Sequence, residues 1–190
     1  MSNKTEMIEA AKSAFRKYGF QKTTLDDVAK ECGVQKTAIY YYFKSKDDLI
    51  QNTMEYMIEE IIAECDKAYD AKKTMETNLY VFMKVQLETF LEHKKFTKVI
   101  ESVDIQFKYI ELARRIKVIL VDYLIRSYKK IMNEAIQENR ISLKYIDTAI
   151  SILIGAVFSY LADALFENKE INFEETINNT LHVVLKGIEI

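Results

Sequence analysis

Gln35, Lys36 and Thr37 stand together just ahead of Ile39 and the aromatic run Tyr40-Tyr41-Tyr42-Phe43. A glutamine amide can pair with adenine, a lysine ammonium with guanine, and a threonine methyl can touch that of thymine. At the start of a short helix, these three can read base edges in a major groove, with Tyr41 as a further contact. Two neighbouring groups suit phosphate instead. Thr23 and Thr24 begin a helix whose first N–H groups lack internal partners. Lys46 heads another helix, where its ammonium adds to the positive helix end.

These side chains can share a face only if two short helices meet at a fixed angle. Thr24 can cap the first helix, with Asp27 three residues on completing a capping box. Ala29 is small enough for a second helix to cross close by, and Gly33 supplies a turn backbone that glycine adopts cheaply. Val28, Val34 and Ile39 are the apolar pins at the crossing. This is the spacing of a DNA-reading helix-turn-helix.

The segment resembles the N-terminal domain of the TetR family of transcriptional regulators. The shared residues are Gly19-Phe20, Thr23-Thr24, Val28-Ala29, Gly33-Val34, the run Ile39 to Phe43, Lys44-Ser45-Lys46 and Leu49. The resemblance implies that Thr24, the tyrosine of the Tyr40-Tyr41 pair and Lys46 clamp the DNA backbone. It also implies a body that holds a small-molecule effector and dimerises through its last two long helices. Two positions depart from the pattern. Gln35 stands where serine is common, which weakens the helix cap, and Tyr42 where histidine is frequent. Phe43 is expected in the core.

Half of the 190 residues are hydrophobic, and four glycines with no proline favour long uninterrupted helices. Residues 1 to 50 carry nine Lys/Arg against seven Asp/Glu, and the remainder 18 against 22. A mildly basic head on an acidic body suits a protein that offers one face to DNA. Cys32 and Cys65 lack CxxC spacing, so no disulfide framework is indicated and a reducing cytoplasm is the simplest home. The charged N-terminus has no signal-peptide h-region. The longest uncharged run, Thr148 to Ala162, is 15 residues, short for a membrane span, and reads as a buried helix.

Periodicity predicts an all-α chain. Helix one covers about 4 to 18 with Ile8, Ala11, Phe15 and Tyr18 on one stripe, and Gly19 stops it. Residues 1–48 form the helix-turn-helix head, and a helix over about 46–67, capped by Ser45 with Asp48, links it to the body at 49–190. The body comprises helices at about 74–93, 96–106, a long one from about 116 ended by Asn139-Arg140, 144–167 and 173–188. The penultimate helix is apolar on nearly every face, so it must be covered on two sides. A homodimer seam is therefore expected at Ile154, Gly155, Val157, Phe158, Leu161, Leu181, Val184 and Ile188.

Phe82, Phe90, Phe107, Tyr123, Tyr128 and Phe158 could line an apolar or aromatic effector pocket between helices. Catalysis is not expected. His93 and His182 lack partners at metal-ligand spacing, and no P-loop, GxSxG or GxGxxG occurs, so no metal and no cofactor is expected. The reading is a DNA-binding transcriptional regulator, a repressor of a pseudo-palindromic operator whose affinity an effector lowers. The alternative is a small-molecule-binding helical dimer without sequence-specific DNA binding.

Overall fold

A computed structural model describes residues 3–19, 21–92, 110–166 and 171–190. The described elements are helical: α1 (Lys4–Tyr18), α2 (Leu25–Cys32), α3 (Lys36–Tyr42), α4 (Lys46–Lys67), α5 (Met75–Glu92), α6 (Ile110–Gln137), α7 (Ile146–Phe166) and α8 (Phe173–Lys186), with a 3-10 turn at Leu143–Tyr145. The chain is all-α. One isolated bridge pairs Ile141 with Glu189. The helix expected at 96–106 lies outside the described residues, as do Phe20, His93 and Phe107.

Local capping explains most helix limits. Asn3 and Glu6 form a reciprocal capping box at the start of α1, and Gly19 ends it at φ 79. At α4 the Ser45 hydroxyl accepts from the Asp48 N–H at 3.1 Å, but the Asp48 carboxylate reaches back to the Lys44 N–H at 2.8 Å. The expected box thus extends one residue upstream. Asn139, at φ 56, turns the chain after α6.

Two compact units divide the chain, one of residues 1–60 and 95–116, the other of 61–94 and 117–190. The first therefore runs on past residue 48 along α4. Its core joins Met7, Ile8, Ala11 and Phe15 of α1 to Val28 and Ala29 of α2, Ile39, Phe43, and Leu49, Ile50, Met54 and Met57 of α4. Tyr18 is exposed, so the buried stripe of α1 closes instead with Met7 and Ala14. Lys12 is buried among these residues, its ammonium bonded to Glu9 at 3.0 Å and Glu60 at 2.6 Å. A buried ammonium needs such partners, because desolvation of a lone charge costs several kcal/mol.

In the second unit α5 packs on α7 and α8, which also pack on each other. Leu79, Met83 and Leu87 of α5, Leu124 and Met132 of α6, Leu153 and Val157 of α7, and Ile177 and Leu181 of α8 are buried there. Ile119 of α6 is exposed. The residues expected at the seam divide into two groups. Ile154, Val157, Leu161, Leu181, Val184 and Ile188 are all buried within their own chain, where they fill its core. Gly155 and Phe158 remain exposed, and Ile152 and Val183 join them as exposed apolar residues.

Leu143–Ala164 is long and apolar enough to cross a membrane by length and composition, and an 18-residue stretch of it is 39% buried inside the chain. Among its exposed residues are Ile152, Gly155, Phe158 and Ser159, which repeat at helical spacing.

Candidate nucleic-acid interface

The helix-turn-helix is held by three local devices. Thr24 caps α2: its hydroxyl accepts from the Asp27 N–H at 3.2 Å, and the Asp27 carboxylate accepts from the Thr24 N–H at 2.9 Å and its hydroxyl at 2.7 Å. These bonds, above all the hydroxyl's, hold the Asp27 carboxyl below its ordinary range. Gly33 sits at φ 68 in the left-handed region, where a side chain would be strained. The Val34 N–H then closes the turn onto the Ala29 carbonyl at 2.9 Å.

Gln35 precedes α3 and makes no side-chain cap bond. The amide is thereby left available. Gln35, Lys36 and Thr37 are all exposed, with Tyr40 and Tyr41 following them along α3. Tyr41 is 83% exposed and meets Tyr42 edge-to-face at 5.0 Å. An aromatic so open is not packing the head. Ile39 and Phe43, by contrast, are fully buried and pin α3 to the core.

Lys36 is more constrained than its exposure suggests. Its ammonium lies 2.8 Å from an Asp26 carboxylate oxygen and 5.6 Å from the centre of the Tyr40 ring. The bond to Asp26 raises the lysine above its ordinary pKa, so it stays cationic. Asp26 escaped the sequence reading because it lies ten residues away across a turn, where neither capping nor periodicity links two positions.

Thr23 and Lys46 depart from simple phosphate contacts. Thr23 is buried, and its hydroxyl donates to the Gly19 carbonyl at 2.7 Å and the Ala14 carbonyl at 3.3 Å. The side chain faces inward and ties the loop to α1. Lys46 is half-buried and donates to the Gln21 carbonyl at 2.7 Å, which fixes the loop before Thr24 against the start of α4.

In the second unit the expected effector residues split into two groups. Phe82 and Tyr128 are buried and meet edge-to-face at 5.0 Å. Tyr123 lies 6.5 Å from Phe82 and donates to Asp66 at 2.8 Å. Phe90 and Phe158 form a separate pair at 6.4 Å. Phe82 and Tyr128 are sealed core, so a ligand could reach them only after repacking. Sequence reading passed over Gln86, which is fully buried and donates to the Tyr128 hydroxyl at 3.1 Å. Its carbonyl oxygen finds no donor among the described residues. Among those residues no three metal-ligating side chains converge, and His182 is exposed.

A profile of bacterial regulatory proteins of the tetR family matches residues 7–53. The chain is 35% identical over 63 residues to the HTH-type transcriptional regulator YfiR of Bacillus subtilis, covering 33% of this chain and 31% of that one. The fatty acid metabolism regulator protein of the same organism is 20% identical over 185 residues, covering 96% and 94%. The matched segments span only 31% to 53% of the length of four such regulators. Among solved structures, the transcriptional regulator FadR from Bacillus subtilis in complex with stearoyl-CoA superposes with a TM-score of 0.74 at 18% identity, covering 98% of this chain and 100% of that one. That likeness speaks for the fold. With the capped helix-turn-helix, its exposed Lys36 and Tyr41 and the profile match on the same residues, residues 7–53 are a DNA-binding head of the tetR-family type.

Proposed function

We propose that the protein is a homodimeric transcriptional repressor that binds a pseudo-palindromic operator and releases it when an apolar small molecule enters the second unit. The observation that carries this reading is the open face of α3. Gln35, Lys36, Thr37, Tyr40 and Tyr41 stay exposed while Ile39 and Phe43 hold the helix in the core. The start of α2, which Thr24 caps, and the Lys46 ammonium supply phosphate contacts on either side, and Thr23 positions Thr24.

The partner is a second copy of the chain, seated on the exposed strip of α7 with Val183 of α8. For the effector, the buried amide of Gln86 marks a polar point in apolar surroundings beside Phe90 on α5. An apolar molecule with one polar end fits such chemistry, and a relative of like fold holds stearoyl-CoA. Effector binding would shift the population toward head spacings that miss successive grooves. The cytoplasm, where the genome is, is then the working compartment.

Unbiased selection from random duplexes tests this reading. The expected product is an inverted repeat with half-sites about 34–36 Å apart or a multiple of that, and affinity should fall steeply with salt. Flat salt dependence, or no enriched sequence, would favour the helical dimer that does not read DNA.

Two lysines separate the roles within the head. Lys46→Ala should weaken binding to every duplex by a similar factor. Lys36→Ala should relax preference at one base position, costing about 1–3 kcal/mol there. Binding measured against a panel of single-base variants distinguishes the two patterns, and uniform loss in both would remove Lys36 from base reading.

A further inference from the structure

We propose that Asp26 is a specificity-determining residue that holds Lys36 toward the bases and away from phosphate, an inference that rests on the DNA-binding reading above. Asp26 lies in the first turn of α2, the last place where a negative charge favours DNA binding. One carboxylate oxygen accepts from the Lys36 ammonium at 2.8 Å. The other is buried and finds no hydrogen-bond donor among the described residues. Lys36 is therefore the partner that offsets this charge, and swinging the ammonium away would leave a carboxylate with one oxygen desolvated and uncompensated.

The ring of Tyr40 bounds the ammonium from another side, 5.6 Å away. A lysine is ordinarily a point charge on a flexible four-carbon stem, able to reach whichever phosphate is nearest. Held between Asp26 and Tyr40, this one keeps a narrow range of directions. A base acceptor presented along that range can share the ammonium, which has three donors. A phosphate off that line is met by a neutralised pair and gains little. Asp26 thus lowers affinity for random DNA more than for the operator.

The test is the ratio of affinities for two duplexes, the one recovered by selection on the wild-type protein and a random duplex of equal length. In Asp26→Asn the freed lysine should engage phosphate. Affinity for random duplex should rise, its log–log salt slope should steepen by about one, and the operator-to-random ratio should fall about tenfold. Asp26→Glu should restore most of the ratio, because it keeps the charge. In a Lys36→Ala background, Asp26→Asn should leave the ratio nearly unchanged, since the aspartate acts through that lysine.

Thermal melting of each variant keeps folding separate from recognition. An Asp26→Asn protein that melts normally and binds both duplexes with an unchanged ratio overturns the proposal. So does an equal fall of the ratio in the Lys36→Ala background. A wild-type protein that shows no preference between duplexes fails at the level of DNA reading, and the role of Asp26 falls with it.

Discussion

Gly155→Arg is expected to give a folded monomer that has lost operator binding. A Cβ built on Gly155 meets nothing within 4 Å in its own chain, and the residue is exposed, so the substitution spares the core of the second unit. It does place a guanidinium on the strip of α7 that carries Ile152 and Phe158. An unpaired charge buried there by a partner costs several kcal/mol. With one head in place of two, affinity loses the gain from linked sites, about 10²–10⁴-fold. Sedimentation and an operator titration read both effects together. An unchanged dimer would move the interface to other helices. Val157→Glu, two residues on, should behave differently, because Val157 is 2% exposed within its own chain. That protein should fail to fold, whatever its assembly.

Phe43→Ala should melt the head by about 3–5 kcal/mol, the usual cost of emptying a buried phenylalanine site. The ring is fully buried among residues of α1, α3 and α4, and the Phe43 N–H also closes α3 onto the Ile39 carbonyl at 2.9 Å. Operator binding should vanish because α3 loses its seat, and denaturant unfolding should show the first unit melting early. Tyr41→Ala is the matched control. Its ring is mostly in solvent, so stability should change by no more than about 0.5 kcal/mol while binding to the operator weakens. If Tyr41→Ala destabilises as much as Phe43→Ala, the division of α3 into a packing face and a reading face is wrong.

The elements that could be read from sequence are those fixed by neighbours along the chain. Thr24 with Asp27, Gly33 and Ser45 with Asp48 act within three residues, so the limits of α2, its turn and the start of α4 were legible. Side chains meeting across longer loops were not. Lys12 and Glu60 are 48 residues apart, and a lysine at a helix position gives no sign that it will be buried. Tyr18 fitted an apolar stripe yet lies at its edge, in solvent. The faces of α7 were the hardest case. A helix apolar all round has no preferred direction, so the sequence could demand two coverings without saying which residues faced its own core. Only the packing of α5 and α8 against it resolves Val157 and Leu161 inward and Gly155 and Phe158 outward.

The two cysteines fall one in each compact unit, and their chemistry differs. Cys32 is half-buried at the end of α2, while Cys65 is buried in α4, where desolvation pushes its thiol up to about 12. Near pH 8 such a thiol stays protonated, and the thiolate is the species that alkylates. Cys65 is therefore silent to thiol reagents for as long as its helix stays packed. The chain carries its own pair of reporters: a partly open cysteine beside the DNA-reading turn, and a second whose labelling rate clocks the opening of the body.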